Sequence, residues 1–231
     1  MLKITSLTKE YVNKKILQEV DLFISPTDKL GLVGPNGAGK SSIIQMLLNL
    51  RPPILGKISI NGKDSSLPES REKIGYLSEW VEFPLDWKAV ELIQLHRNIL
   101  NLPRVKLLEI QEYLAIWGLE DNGKKLKSWS KGMRQRLALA LSQLNEPLVW
   151  ILDEPNTGLD PLGIALLNQR IGDERVKGNS VLLSSHRLAE IYNTAQRVLV
   201  VNKGRVCDIK KMNEFPSYSD LESWFLEKVG H

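Results

Sequence analysis

The chain has 231 residues, of which 42% are hydrophobic and 25% are charged, and its formal net charge is +4. This composition is ordinary for a globular protein, and the length suffices for one large domain or two small lobes with a proper core. Basic residues are scattered and form only short pairs such as Lys14-Lys15, Lys124-Lys125 and Lys210-Lys211, a pattern that favours solvated surface charge over a nucleic-acid-binding stripe.

Cysteine content and hydropathy limit the cellular compartments in which we expect the protein. Cys207 is the single cysteine of the sequence, which excludes an intramolecular disulfide and a cysteine metal cluster and fits a reducing cytoplasm. Residues 1–6 lack the apolar stretch of a signal peptide, and no window approaches the run of about eighteen apolar residues that a spanning helix needs. We therefore expect a cytoplasmic protein that reaches a membrane only through a partner.

Alternating apolar residues predict strands in the first 75 residues or so. The alternating pairs are Leu2 and Ile4, Leu22 and Ile24, and Ile58 and Ile60. A two-residue period of this kind is typical of half-buried strands. Asn61-Gly62 follows the last pair and predicts a tight turn.

A glycine-rich loop interrupts this strand-rich region, between an apolar stretch ending at Val33 and a helical run from Ile43. The loop and the start of its helix comprise Gly34, Pro35, Asn36, Gly37, Ala38, Gly39, Lys40, Ser41 and Ser42. Such glycines let backbone N–H groups face an anion, and the helix N-terminus adds partial positive charge. The pattern predicts a nucleotide site with Lys40 on the β- and γ-phosphates and Ser41 on Mg²⁺. A glycine-rich turn without a ligand is the alternative, which the flanking elements disfavour.

Residues 85–128 change to a helical period and predict a small helical lobe. The apolar positions that follow this period are Val90, Ile93, Ile99, Leu107, Leu108, Tyr113, Leu114 and Ile116. Just before them, Trp80, Phe83 and Trp87 cluster around Pro84. These aromatic residues either fill the core of the lobe or form a cleft that anchors a partner's helix.

From Ser130, a predicted helix N-cap, helices and strands alternate. A buried parallel strand is predicted over residues 148–152 and ends at Asp153 and Glu154. Another apolar strand, over residues 181–183, precedes His186. In such α/β sheets ligands bind at the carboxyl ends of strands. Asp153 is therefore a candidate Mg²⁺ ligand and Glu154 a candidate base for water, although capping acids and a structural histidine are the alternatives.

Together these motifs resemble the ATP-binding cassette (ABC) ATPases over nearly the whole chain. The resemblance implies an α/β P-loop NTPase fold with a RecA-like core, an antiparallel β subdomain and a small helical subdomain, in a single domain over residues 1–231. Residues 1–79 and 146–210 would form the core and β subdomain, and residues 80–145 the helical lobe with the signature helix. Residues 211–231 would form a helical tail that packs on its own domain or on a second copy.

The resemblance also implies a role for individual residues. Lys40, Glu154 and His186 would be catalytic, with His186 on the γ-phosphate. Tyr11 stands where the family places an aromatic residue on adenine, although a strand-end tyrosine would look the same. The implied Mg²⁺ ligands are Ser41, Glu79 and Asp153.

Two motifs depart from the family pattern. The signature, usually Leu-Ser-Gly-Gly-Gln, is Trp-Ser-Lys-Gly-Met at residues 129–133. Its residues Ser130, Lys131, Gly132 and Met133 would act on nucleotide held by a second subunit, and Asp160 would belong to the D-loop. Glu79 replaces the usual lid-loop glutamine, so it can ligate Mg²⁺ but would repel a γ-phosphate in the absence of metal. Both departures resemble the exporter branch that handles drugs, antibiotics, lipids and some maturation factors.

The function implied by the resemblance is an ATP-hydrolysing transporter subunit with ATP and Mg²⁺ as cofactors. Two copies, or a heterodimer, would close head-to-tail over two ATP molecules and drive a separate integral membrane permease, with export as the direction. A soluble ABC ATPase acting on ribosomes or DNA is the alternative. Ribosomal relatives carry two cassettes and DNA-repair relatives carry long coiled coils, and this chain has neither, so we expect no nucleic-acid partner. A regulatory ATP clamp is disfavoured by the intact Glu154 and His186.

Overall fold

The computed structural model describes residues 1–11 and 14–230. Within them the strands are β1 (Leu2–Tyr11), β2 (Lys14–Ile24), β3 (Lys29–Val33), β4 (Leu55–Ile60), β5 (Lys63–Asp64), β6 (Ile74–Leu77), β7 (Val149–Asp153), β8 (Ser180–Ser185), β9 (Arg197–Asn202) and β10 (Arg205–Lys211). The helices are α1 (Lys40–Leu47), α2 (Pro68–Arg71), α3 (Ala89–Ile99), α4 (Leu107–Ala115), α5 (Lys131–Ser142), α6 (Pro161–Val176), α7 (Leu188–Thr194) and α8 (Tyr218–Val229). Among the described residues, no helix combines the length and apolar character needed to cross a bilayer.

A four-stranded antiparallel sheet has the order β2-β1-β4-β5. Leu2 and Ile4 are buried while Lys3 between them is exposed, which confirms the predicted alternation. Asn61 and Gly62 join β4 to β5 with φ angles of 51° and 81°. Two positive φ angles suit a two-residue hairpin, so the predicted tight turn is confirmed.

A six-stranded sheet has the order β10-β9-β3-β8-β7-β6, and all of its neighbouring strands are parallel except the edge strand β10. Every residue of β7 and β8 is buried, as expected for central strands covered on both faces. The strand begins at Val149, and Leu148, which we predicted to be buried, is exposed because it precedes the strand. Since β3, β8 and β7 are neighbours, the segments after their carboxyl ends meet at one edge of the sheet.

Helices α3, α4 and α5 form a helical layer beside the sheet. Trp117, after α4, contacts Trp150 of β7, with ring centroids 6.3 Å apart and planes at 70°. Of the predicted periodic positions, Ile93 and Leu114 are buried, but others at the helix ends are not. The exposed positions are Ile99, Leu107, Leu108 and Ile116. Ile99 ends α3 and Leu107 begins α4, so they lie beyond the packed faces.

The aromatic residues before the lobe divide between its core and its surface. Phe83 is partly buried and packs on the main core cluster. Trp80 is 78% exposed and Trp87 is also exposed. The interpretation as lobe core therefore applies to Phe83, whereas the two tryptophans lie on the surface.

The C-terminal helix α8 packs on its own domain. Ser217 caps it by accepting a bond from the N–H of Asp220, and Leu221 and Trp224 are buried. The indole Nε1 of Trp224 donates to Oδ2 of Asp208 on β10 at 3.1 Å. A capped helix with one apolar face turned to the sheet is what the periodicity indicates.

Candidate nucleotide-binding site

The phosphate loop connects β3 to α1 and depends on its glycines. Gly37 and Gly39 have φ angles of 76° and 114°, where a side chain would be strained. A Cβ on Gly34 would lie 2.1 Å from the carbonyl oxygen of Val201, so any larger residue would displace the loop from β9. Helix α1 begins at Lys40 with no side-chain cap, which leaves its first N–H groups for an anion.

The loop is also held by the β9–β10 turn. The N–H of Gly204 donates to the carbonyl oxygen of Ala38 at 2.9 Å, and the N–H of Gln18 donates to the carbonyl oxygen of Gly204 at 2.8 Å. Gly204 has a φ of 78°, and a Cβ there would lie 2.2 Å from the carbonyl oxygen of Ile16. This support was not predicted, because the dipeptide Lys203-Gly204 between two strands is its only local signal in the sequence.

Lys40 lies inside the loop with only 8% of its surface exposed. Its Nζ donates to the carbonyl oxygens of Gly34 at 2.8 Å and Pro35 at 3.3 Å. Burial lowers the pKa of Lys40, and the negative charges of three nearby carboxylates oppose that shift. These carboxylates belong to Glu154, Asp153 and Glu79. The Lys40 ammonium group thus lies among backbone carbonyl oxygens and carboxylates. A nucleotide phosphate could replace the carbonyl oxygens as its partner or bind beside the carboxylates.

A cavity of 570 Å³ opens beside the loop. Its described lining consists of Ile16, Asn36, Gly37, Ala38, Gly39, Lys40, Ser41, Ser42, Glu79, Glu154 and His186. The structure therefore brings together predicted site residues from four separate segments of the chain. Ile16 of β2 was not predicted, because only the packing of the small sheet against the loop places it there. The side chain of Tyr11 falls outside the described structure.

Glu154 follows β7 and is held in an unusual backbone conformation. Its φ is 49°, in the left-handed region that disfavours residues with a Cβ. Burial raises the pKa of its carboxyl group, while a hydrogen bond and the charge of His186 act in the opposite direction. An acid in this state can accept a proton near neutral pH more readily than an exposed glutamate.

His186 lies directly beside Glu154 at the end of β8. Its Nδ1 is 2.8 Å from Oε2 of Glu154, and its ring is about half exposed to the cavity side. The two residues are 32 positions apart in the chain and meet because β7 and β8 are adjacent. The pair is a carboxylate oriented by an imidazole, as general-base catalysis needs.

The donor set beside the loop fits Mg²⁺. Ser41 and Glu79 line the cavity. Burial, with the nearby negative charges of Asp153 and Glu79 adding to it, raises the pKa of Tyr76 to about 12. A hydroxyl and two carboxylates are hard oxygen ligands, and Mg²⁺ commonly takes one or two carboxylates plus substrate phosphates. The described residues contain no group of three or more His, Cys, Asp or Glu that could hold a metal ion.

The signature residues lie outside the lining of the cavity. Ser130 caps α5, its Oγ accepting a bond from the N–H of Met133 at 3.1 Å, which confirms the predicted N-cap. The stem of Lys131 covers Gly158, where a Cβ would lie 2.8 Å from Cε of the lysine. Asp160 accepts a bond from the N–H of Gly163 at 2.8 Å and so caps α6. The signature and the D-loop are therefore neighbours, and neither is among the described residues that line the cavity beside the phosphate loop.

Comparison with known proteins agrees with this geometry. The family profile described as ABC transporter matches residues 17–157. This chain belongs to the ABC transporter family. It is 31% identical over 229 residues to the lantibiotic transport ATP-binding protein SrtF of Streptococcus pyogenes, covering 99% of this chain and 97% of that one. It is 34% identical over 212 residues to the bacitracin transport ATP-binding protein BcrA of Bacillus licheniformis, covering 90% and 69%.

Solved structures extend the comparison to the fold. An ATP-binding subunit of an ABC transporter superposes on this ABC ATPase with a TM-score of 0.88 and 27% identity, over 99% of both chains. The ATP-binding cassette MJ0796, solved as a dimer in a post-hydrolysis state with ADP and Pi, has a TM-score of 0.80 and 23% identity, over 93% of this chain and all of that one. The predicted P-loop NTPase fold, with its antiparallel sheet and helical elements, is confirmed, and the chain is an ATP-binding ABC ATPase.

Proposed function

We propose that this ABC ATPase hydrolyses ATP with Mg²⁺ as half of a head-to-tail dimer and drives export through a separate integral membrane permease. The observation that carries the proposal is that the motifs expected to bind one nucleotide do not all line the same cavity. Lys40, Glu154 and His186 share one cavity, whereas the signature from Ser130 lies outside its described lining. A second subunit would supply that signature to the bound nucleotide.

In the proposed reaction, Lys40 exchanges its bonds to the loop carbonyls for bonds to the β- and γ-phosphates. Glu154 accepts a proton from a water molecule whose oxygen attacks the γ-phosphorus, and the bond to the bridging oxygen of ADP breaks. The N–H groups of the loop and Lys40 stabilise the negative charge that develops on the departing ADP. Mg²⁺, held by Ser41, Asp153 and Glu79, would neutralise charge on the β- and γ-phosphates.

Closure of the dimer would depend on the γ-phosphate. ATP would contact the phosphate loop of one subunit and Ser130 with Gly132 of the other, whereas ADP lacks the group that joins them. A ligand shifts a conformational equilibrium only through such a difference in affinity. Lys131, one residue from the cap of α5, would add a cation at this contact.

The partner assignment rests on the relatives. SrtF and BcrA are named for lantibiotic and bacitracin transport, and we extend the role of a transporter subunit to this chain, which would bind its integral permease at the cytoplasmic face of a membrane. Trp80 and Trp87, exposed beside the helical layer, are the residues we assign to permease contact. We do not favour the ribosome- or DNA-acting alternative.

Purification of the tagged chain from detergent-solubilised native membranes tests the assignment. We expect a polytopic membrane protein to co-purify in stoichiometric amounts with the wild type and to be depleted in a Trp80→Ala, Trp87→Ala variant. A Leu226→Ala variant, changed at an exposed position on α8, is the control. Recovery only in the soluble fraction, with ribosomes or DNA attached, would contradict the transporter role and leave the ATPase assignment intact.

A further inference from the structure

Ser184 is a buried hydroxyl at the end of β8, and its side chain is 0% exposed. It is the direct partner of Asp153 in the parallel pairing of β7 with β8. A hydroxyl removed from water must find hydrogen-bond partners within the protein, or its burial destabilises the fold. The partners that it finds are both acids of the Asp153-Glu154 pair.

The hydroxyl of Ser184 contacts each acid in a different way. Oγ donates a short hydrogen bond to Oδ1 of Asp153. The same oxygen accepts a bond from the backbone N–H of Glu154 at 3.2 Å. A serine hydroxyl has one proton and two lone pairs, so one group can serve both neighbours.

The hydrogen bond between Ser184 and Glu154 involves the backbone of Glu154, which has a strained conformation. A non-glycine residue with a φ of 49° persists only when its surroundings fix it. The N–H of Glu154 also lies 3.2 Å from the carbonyl oxygen of Ser184, and its carbonyl oxygen accepts a bond from the N–H of Thr157 at 3.1 Å. Ser184 therefore supplies both acceptors that hold the amide of Glu154.

We propose that Ser184 is a positioning residue that orients both the metal ligand Asp153 and the catalytic base Glu154. Its proton fixes the rotation of the Asp153 carboxylate through Oδ1 and leaves Oδ2 for the metal. Its oxygen fixes the backbone from which the Glu154 side chain reaches water. The inference rests on the proposed roles of Asp153 and Glu154. Groups that orient metal ligands in this way commonly change metal affinity about 10- to 100-fold when removed.

Two other serines on the same strand bond differently. The Oγ of Ser185 donates to Oε2 of Glu190 at 2.6 Å and contacts neither acid in the described hydrogen bonds. Ser180, at the opposite end of β8 and equally buried, has its Oγ 3.3 Å from the carbonyl oxygen of Leu148. Ser180→Ala is therefore a matched control for the loss of a buried serine hydroxyl from this strand.

The test measures Mn²⁺ affinity by electron paramagnetic resonance in the presence of a non-hydrolysable ATP analogue, together with kcat for ATP. We expect Ser184→Ala to weaken Mn²⁺ binding and to lower kcat, each by about tenfold or more, with Ser180→Ala unchanged. Ser184→Thr and Ser184→Val have the same shape and differ in the hydroxyl, so Thr should retain Mn²⁺ affinity relative to Val. Comparing these two variants distinguishes the effect of losing the hydroxyl from the effect of packing an added methyl group, because both variants carry that methyl group.

Equal Mn²⁺ affinity of the Thr and Val variants, or wild-type affinity in Ser184→Ala, would overturn the inference. Failure of the proposed function has a different signature. In that case the wild type itself would bind no Mn²⁺ with the nucleotide analogue, or Glu154→Gln would hydrolyse ATP at the wild-type rate.

Discussion

Nδ1 of His186 lies 2.8 Å from Oε2 of Glu154, so the imidazole and the carboxylate form one unit across two neighbouring strands. The hydrogen bond from the ring favours the charged form of Glu154, whereas burial favours the protonated form. The two influences together leave Glu154 a base whose proton affinity depends on the position of the histidine. This relationship determines how activity should respond to pH.

We expect His186→Ala to move the acidic limb of the kcat/KM profile to higher pH. Glu154 must be deprotonated to accept a proton from water, so activity is present above its pKa and lost as pH falls through it. Without His186 the pKa rises further, and activity is lost earlier on acidification. Steady-state rates from about pH 5 to 8 measure the limb, with His96→Ala as the control because His96 bonds to Leu92 within α3. An unchanged limb, or one displaced to lower pH, would contradict the coupling.

Glu154→Gln should lower kcat by about 10² to 10⁴-fold, the usual contribution of general-base catalysis. The amide keeps the shape of the side chain but cannot take the proton, so ATP should bind and persist. Size-exclusion chromatography with ATP and Mg²⁺ should then show a stable dimer that ADP does not produce. A variant that stays monomeric with ATP would contradict the head-to-tail dimer.

Lys40→Ala should weaken ATP binding by at least about 100-fold, because the only lysine in the described cavity lining would be lost. The folded state should lose only about 1 kcal/mol, the usual net contribution of a hydrogen bond such as those to Gly34 and Pro35. Lys73→Ala is the control, since its Nζ likewise donates to a backbone oxygen, that of Asn145, away from the cavity. Fluorescent-nucleotide titration measures affinity, and wild-type affinity in Lys40→Ala would contradict the phosphate-loop assignment.

Glu79→Gln should reduce the dependence of ATP affinity on magnesium. The Glu79 carboxylate lines the cavity near Lys40, and its charge repels a γ-phosphate unless metal lies between them. We therefore expect the ratio of ATP Kd in EDTA to Kd in Mg²⁺ to fall by severalfold in the variant. Glu82→Gln removes an exposed carboxylate three residues away and should leave the ratio unchanged. Equal ratios for both variants would exclude Glu79 from the metal site.

Arg136 should be important for stability because it joins three segments. It is buried, its Nη1 donates to the carbonyl oxygens of Trp117 and Gly118 at 3.1 and 2.8 Å, and its Nη2 lies 3.8 Å from Oδ2 of Asp160. Arg136→Met should lower the free energy of unfolding by about 2 kcal/mol, because two carbonyl groups lose their donor. Asp160→Asn should cost less, since that side chain is half exposed. Urea denaturation of both variants measures the difference, and equal losses would contradict this ranking.

The sequence predicts which segments lie close together beside the phosphate loop where residues follow the carboxyl ends of strands. The phosphate loop, the Asp153-Glu154 pair and His186 each follow an apolar strand, and parallel neighbours bring such ends together whatever the loops between them. Ile16, Gly204 and Ser184 were not predicted as part of this region. Their contacts depend on long-range packing, and a serine inside an apolar strand gives no pattern that separates it from an ordinary strand residue.

The helical layer shows a second limit of sequence reasoning. Periodicity located α3 and α4, but it also marked Ile99, Leu107 and Leu108. Apolar residues in the first or last turn of a helix follow the same period as its buried residues. Exposed and buried apolar residues can be told apart only once it is known where each helix begins and ends.

The contact between Trp117 and Trp150 gives this protein a built-in optical reporter. One indole follows a helix of the helical layer and the other lies in the strand that ends at the Asp153-Glu154 pair. Two indoles at 6.3 Å and 70° are close enough for their electronic transitions to couple, so near-ultraviolet circular dichroism should contain a signal from this pair. A change in that signal on adding nucleotide would record a displacement between helices and sheet in unlabelled protein.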